Sequence, residues 1–406
     1  MNSHKILNDP VYGFITIPSE LIFAIIDHPY FQRLRRIKQL GLTDFIYPGA
    51  LHTRFHHALG AMHLMSITLD NLRNKGHEIS NEEYEASLIA ILLHDIGHGP
   101  FSHALEFSLL KDIHHEKLSL LIIEALNKEF NNQLELAIKI FTGRYERKFF
   151  HQLVSSQLDI DRLDYLQRDC FFTGVSEGTI GADRIIKMMN IKDDALVIEE
   201  KGIYSIENFL SARRLMYWQV YLHKTTVSAE KMLINLISRA KEVQQSGVNL
   251  NGTDELIHLL KYDYTVEDFQ NSKELLDIFT QLDDFDIWGA VKLWKSNEDF
   301  VLKTISNMFL TRNLFKVDLV SSPIEKSQLE EMKKKTIQKL DIPEAYLPYF
   351  FSYGSISNNA YVAKDSILIY TKKGQVIDVA QAADLPNIKA MSKIVKKYYA
   401  CRAKKI

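Results

Sequence analysis

The 406-residue chain has only two cysteines, Cys170 and Cys401, far apart and outside any CxxC spacing. This scarcity excludes a disulfide framework and a thiolate zinc site, and it points to a reducing compartment. An excess of charge of one sign is missing too. The formal net charge is -2, so no bulk basic surface speaks for a phosphate backbone, and no nucleic-acid partner is expected. The dense basic stretches, "KKK" at 333–335 and the tail "KIVKKYYACRAKKI", read as solvated helix faces. The opening "MNSHKILNDPVYGF" lacks the apolar core of a signal peptide. No apolar run approaches the roughly 20 residues that span a bilayer. These absences lead us to expect a soluble, cytoplasmic, globular protein with no membrane partner, and 46% hydrophobic residues supply a large core.

Most of the chain reads as helix. Apolar residues recur at three- and four-residue steps in "SELIFAIIDHPYFQRLRRIKQLG", with Pro29 opening a second helix and Gly41 closing it. Similar spacing predicts helices over 57–75, 82–94, 115–130, 132–142, 148–156, 161–169, 182–190 and 205–246, and over shorter stretches from 253 to 339. Strand signals are few. "ALVIEEKGIYSI" (195–206) predicts a hairpin with Gly202 near its turn, and "SILIYTKKGQVIDV" (366–379) predicts two strands joined at Lys372-Lys373-Gly374. The expected class is mainly α: a catalytic helical core over 1–240, then a helical lobe over 241–406 that ends in a small mixed α/β element.

Ten of the fifteen histidines fall between residues 52 and 115. Four residues stand out. His57 shares a helical face with Ala61 and Leu64, so it points toward the core. His94 and Asp95 end the apolar run "EASLIAILLHD", and Asp161 lies in the helix-start pattern "SSQLDIDRLDYLQRD". Two imidazoles and two carboxylates suit a divalent ion: Fe, Mn, Zn or Mg. Neighbouring side chains on a regular helix do not face one another. A helix that ends before Gly97 lets His94 and Asp95 both turn toward one ion.

The order H…HD…D, with "FQRLRRIKQLG", "HTRFHHALG", "HDIGHGPFSH", "HHEKLS", "DIDRLDYLQRDC" and "YLHK" in sequence, resembles the HD-domain phosphohydrolases. Within them it resembles the dNTP triphosphohydrolases, close to the kind that carries a sterile-alpha-motif domain in animals, although no such domain is read here. The resemblance implies the HD helical core and metal-dependent water attack on the α-phosphorus of a dNTP, releasing deoxynucleoside and triphosphate. It implies a phosphate contact at His98, a catalytic histidine at His103 and a donor at His115. Glu106 stands where the family has an acid that orients a histidine. Arg54, on the face of His57, suits a bidentate phosphate contact. Arg162, where the family usually has lysine, and Arg213 match phosphate contacts. Tyr165 and Asp169 match residues that meet the sugar, Tyr221 matches a base-side aromatic, and Gln39 and Leu40 match residues beside sugar and base.

In the animal enzymes a guanine nucleotide and a dNTP bind between subunits. The resemblance carries part of that site onto Lys5, Asp27, Gln32 and Arg35, and onto Arg184, His223, Lys224, Arg312 and Lys316, implying a GTP or dNTP effector. Gly181, Ser205 and Glu200 depart from the pattern. The expected assembly is a homo-dimer or homo-tetramer. Two other readings stay open. One is a different HD phosphohydrolase, such as a nucleotidase, phosphodiesterase or alarmone hydrolase. The other is a non-catalytic nucleotide-binding protein.

Overall fold

The computed structural model describes residues 5–101, 103–106, 108–110, 113–358, 366–384 and 395–404, without the side chains of His103 and Asn358. The chain opens with a hairpin, β1 (Lys5–Asp9) and β2 (Gly13–Ile17), in antiparallel register. Helices α1 (Glu20–Asp27) and α2 (Pro29–Gln32) follow, and α2 runs into a tight turn of 3-10 helix at Arg33–Arg36. The helical core is then built by α3 (Arg54–Asn74), α4 (Asn81–Leu93), the single turn α5 (His103–Glu106) and α6 (His115–Glu129). It continues through α7 (Glu135–Phe141), α8 (Lys148–Val154) and α9 (Ile160–Thr173). The expected mainly α class is what the structure shows.

Local chemistry fixes the helix ends that matter. Ser80 and Glu83 close a reciprocal capping box at the start of α4. Asp159 caps α9 by accepting from the Arg162 amide at 2.7 Å, and Gly174 (φ 74°) ends it. Helix α4 stops at Leu93, so His94, Asp95 and Ile96 lie on a turn that Gly97 completes. A Cβ on Gly97 would stand 2.2 Å from the Ser119 amide nitrogen and 2.4 Å from the His115 carbonyl oxygen. The turn therefore reaches the start of α6 only because residue 97 has no side chain.

The chain goes on through α10 (Ala182–Met188), β3 (Met189–Lys192), β4 (Ala195–Glu199) and α11 (Ile203–Met216). The expected hairpin over 195–206 thus lies earlier. Its two-residue turn is Asp193-Asp194, both at positive φ, as a tight hairpin turn requires. Gly202 instead opens α11. The single long helix expected over 205–246 is broken by a wide π turn at Tyr217–Tyr221. After it, His223 caps α12 (Lys224–Gln245), its Nδ1 accepting from Thr225 N at 3.1 Å.

Helices α13 (Asp254–Lys261), α14 (Val266–Asn271), α15 (Lys273–Gln281), α16 (Asp284–Trp294) and α17 (Phe300–Leu310) pack on α12 and the core. The tail is not a solvated helix face: β9 (Val395–Arg402) is the middle strand of a sheet, between β5 (Lys316–Val320) and β6 (Phe351–Asn358). Burial of the consecutive residues Tyr399, Ala400 and Cys401 between the flanking strands outweighs its lysines. The expected pair over 366–379 is present as β7 (Leu368–Tyr370) and β8 (Val376–Asp378), and β7 extends the β3–β4 sheet by pairing in parallel with β4. One continuous apolar cluster runs from Ile15 to Ala403. No helix among the described residues is long and apolar enough to cross a membrane.

Helix α3 lies between α4 and α9. It approaches α9 at Gly60, where a Cβ would stand 2.0 Å from Arg168 Nη2 and 2.1 Å from Asp164 Oδ1. Gly60→Ala is expected to destabilise the fold by about 3 kcal/mol through overpacking. Exposed Gly289, with nothing near its added Cβ, should gain roughly 0.5–1 kcal/mol as alanine from helix propensity. Calorimetric melts of both variants check the pair: a lower Tm for the first and an equal or higher Tm for the second.

Candidate metal centre

His57 sits in the first turn of α3, His94 and Asp95 on the turn after α4, and Asp161 in the first turn of α9. These segments bring the four side chains together. His57 Nε2 lies 3.1 Å from Asp161 Oδ1 and 3.8 Å from Asp95 Oδ2. His94 Nε2 lies 3.4 Å from Asp161 Oδ1 and 3.3 Å from Asp95 Oδ1. The two imidazoles meet edge-on, with centroids 5.3 Å apart.

The donor set fits a divalent cation on a specific ground. His57 Nδ1 is bonded to Asp164 Oδ2 at 2.7 Å, and His94 Nδ1 to the Ile91 carbonyl at 2.6 Å. An Nδ1 facing an acceptor carries the proton, which leaves the lone pair on Nε2. Both Nε2 atoms are buried, and among the described residues neither has a partner in hydrogen-bond geometry. Burial opposes a charge on His57, yet the carboxylates of Asp161 and Asp164 outweigh it and push the imidazole up to about 10. The carboxylates are thus poised to hold positive charge at this point. For Asp161, burial is likewise outweighed by His57 and His94, and its carboxyl is held well below the usual carboxylate range.

A buried relay stands behind His57. Asp164 receives two bonds from Arg168, both 3.0 Å, and Arg168 reaches Asp9 Oδ2 at 2.7 Å. Asp9 in turn accepts the amides of Val11 and Tyr12 in the first hairpin turn. The α9 pattern already suggests Asp159 as a cap and Asp164 as half of an ion pair. The hold of Asp164 on His57 and the parts played by Asp9, Arg168 and Gly60 have no local signal, because each depends on a contact between distant segments.

Residues 54–169 match the HD domain family, and residues 180–263 match the HD associated region. A crystal structure of a phosphohydrolase from Bacteroides thetaiotaomicron superposes with TM-score 0.94 at 53% identity, over 98% of this chain and 99% of that one. The uncharacterized protein YwfO of Bacillus subtilis is 35% identical over 78% of this chain and 72% of its own length. The chain belongs to the HD phosphohydrolase family. The Dictyostelium discoideum protein named deoxynucleoside triphosphate triphosphohydrolase SAMHD1 homolog is 31% identical, over 67% of this chain and 56% of its own length.

Further HD-core residues line the centre. Arg54 Nη1 bonds Asp95 Oδ2 at 2.5 Å. His98 Nε2 lies 3.3 Å from Asp95 Oδ1, and its ring stacks on His115 at 3.7 Å. Burial, then the cation of Arg54, holds His98 well below the ordinary imidazole range. His115 Nδ1 is bonded to Glu106 at 2.8 Å, so the longer acid still reaches it. His103 opens α5, but its side chain lies outside the described residues.

On the other side of Asp161, Arg162 is bonded to Asp159 and Arg213 to Gln157 Oε1 at 3.1 Å. Burial holds the Tyr165 phenol well above its ordinary range, with both guanidinium groups pulling the other way, and its ring packs against Tyr221. Asp169 accepts from Tyr221 Oη and pairs with His52 Nε2, both at 2.7 Å. Gln39 joins this group through its amide bond to the His52 carbonyl, and Leu40 follows it. The sequence reading passed over His52, which is fully buried against Phe172.

The residues matched to an effector site lie on separate surface segments. Lys5 lies over the Phe23 ring and Arg35 over Phe55, while Gln32 binds the Ile26 carbonyl near exposed Asp27. Arg184 binds the Lys201 carbonyl, and Lys316 pairs with Asp318. Arg312 holds the Phe45 carbonyl, close to Tyr47, whose ring meets His223, and exposed Lys224 follows.

Asp164→Asn keeps the shape of this support and removes its charge. It is expected to weaken Mn²⁺ binding by about 10- to 100-fold, read as metal retained after dialysis against graded free Mn²⁺. Wild-type retention would show that the relay does not set His57.

Proposed function

We propose that this HD phosphohydrolase hydrolyses deoxynucleoside triphosphates to deoxynucleoside and triphosphate, with a divalent cation (Fe, Mn, Zn or Mg) held by His57, His94, Asp95 and Asp161. The observation that carries the reading is a set of buried polar atoms with no hydrogen-bond partner among the described residues: Gln39 Oε1, Arg162 Nε and Arg213 Nε, beside the Nε2 atoms of His57 and His94. Buried polar groups without partners are costly: the two Nε2 lone pairs call for a cation, and the Arg162 and Arg213 nitrogens, which are donors, call for an acceptor such as a phosphate oxygen. The relatives named as dNTP triphosphohydrolases support a dNTP as the ligand.

A bound cation would polarise the reacting phosphate and lower the pKa of a water. The chain's own part is positioning and charge. Arg54, Arg162 and Arg213 offer planar cations to a long polyphosphate. His98, His103 and His115, with Glu106 behind His115, hold or move a proton at the ester oxygen. Asp169 keeps lone pairs for a sugar hydroxyl, and Tyr165 and Tyr221 form an aromatic wall beside it. The division at residue 240 belongs to the same reading, since all these residues precede it. So do a cytoplasmic setting, a symmetric homo-dimer or homo-tetramer, and nucleotide effectors at Asp27, Arg35 and Arg312.

The test is to incubate purified protein and Mn²⁺ with each dNTP and separate the products. Tripolyphosphate with deoxynucleoside is the expected result. Orthophosphate or a monophosphate would instead identify a different HD phosphohydrolase, and ligand retained without turnover a binding protein. Arg213→Ala should raise KM for triphosphates about tenfold, from loss of charge-assisted hydrogen bonds, and leave monophosphate binding unchanged. Equal effects on both would remove Arg213 from the terminal phosphate.

A further inference from the structure

Arg33 is a cation in the apolar interior, fully buried. Among the described residues, no carboxylate lies within ion-pair distance of it. Its partners are four carbonyl oxygens. Nη2 donates to Ile96 O at 2.9 Å and His98 O at 2.7 Å. Nη1 donates to Phe279 O at 3.0 Å and Leu282 O at 3.2 Å. The first pair brackets Gly97, directly after Asp95. The second pair lies at the carboxyl end of α15, where helix carbonyls lack partners and a cation is favoured.

A buried charge without a direct ion pair is an inefficient way to fill space, and an apolar side chain of like volume serves stability better. The planar fork does what no apolar side chain can: it holds two pairs of peptide planes at fixed angles. A second tie secures the far end of the same loop. Asp284 accepts from Phe101 N at 3.2 Å and from Lys38 N at 2.9 Å. Between the two ties Gly99 faces the ring of Phe279, which an added Cβ would meet in ordinary contact at 3.4 Å. The loop over 96–101 is therefore fastened at both ends to the segment 279–284, some 180 residues further along the chain.

We propose that Arg33 is a positioning residue for the reaction: by gripping the carbonyls of Ile96 and His98 against the end of α15, it sets the directions of Asp95 and His98. The role in turnover rests on the metal-dependent reading above, whereas the role in metal binding does not. Arg33→Lys supplies the charge without the fork and cannot span both carbonyl pairs. Relative to wild type it should bind Mn²⁺ 10- to 100-fold more weakly by titration calorimetry. At saturating Mn²⁺ its kcat should fall by a similar factor, with KM for dNTP within twofold.

A residue that only stabilises the fold would lower Tm and leave Mn²⁺ affinity and kcat unchanged, and that outcome would overturn the proposal. If Arg33→Lys does not fold, Asp284→Asn, which loosens the other end of the loop, carries the test. A fall of threefold or more in its Mn²⁺ affinity supports the proposal, and wild-type affinity overturns it. If wild type turns over no dNTP, the function proposed above fails, and the Mn²⁺ titrations still decide the role of Arg33.

Discussion

Two buried imidazoles, each with its Nδ1 already bonded, turn bare Nε2 lone pairs toward the same pair of carboxylates. Among the described residues nothing completes that arrangement. A proton relieves it in part, and a divalent cation relieves all of it. The rest of the core serves this constraint. Helix α4 must stop one residue before His94, α9 must begin one residue before Asp161, and α3 must run close enough to α9 for His57 to reach Asp164.

The electrostatics are layered. Closest to the centre, negative charge from Asp95 and Asp161 collects positive charge. Behind it, arginines neutralise the supporting acids: Arg54 on Asp95, Arg162 on Asp159, and Arg168 on Asp164 and Asp9. Each of these acids is buried or nearly so, and an unpaired carboxylate at such depth would take up a proton instead. At Asp164 the Arg168 guanidinium and His57 outweigh burial and hold the carboxyl below its usual range, whereas at Asp159 burial outweighs Arg162 and pushes the carboxyl up to about 6. Arg162 Nε and Arg213 Nε are buried without a hydrogen-bond partner among the described residues.

Much of this was legible in the sequence, because it is written locally. Capping residues, helical periodicity and the H…HD…D order lie in short windows, and they gave the helical class and the segments that converge. What stayed hidden depends on partners far along the chain. The turn at Asp193-Asp194 carries no glycine, so the hairpin was placed too late. The lysines of "KIVKKYYACR" masked a strand that is buried only because β5 and β6 flank it. Helical periodicity runs smoothly through Tyr217–Tyr221, where one wider turn re-aims the following helix. Arg33, His52 and Gly60 look ordinary in their windows, and each acquires its task only from residues 63 to 249 positions away.

The stretch that matches the HD domain, residues 54–169, is not a physical module. Arg168 finds its second acid at Asp9, and the loop after Asp95 is fastened through Arg33 and Asp284, all three outside that stretch. Excised and transplanted, the segment would carry every proposed ligand into its new host together with a half-neutralised guanidinium and a slack loop. The signature travels as text, but the centre it encodes is assembled by the whole polypeptide.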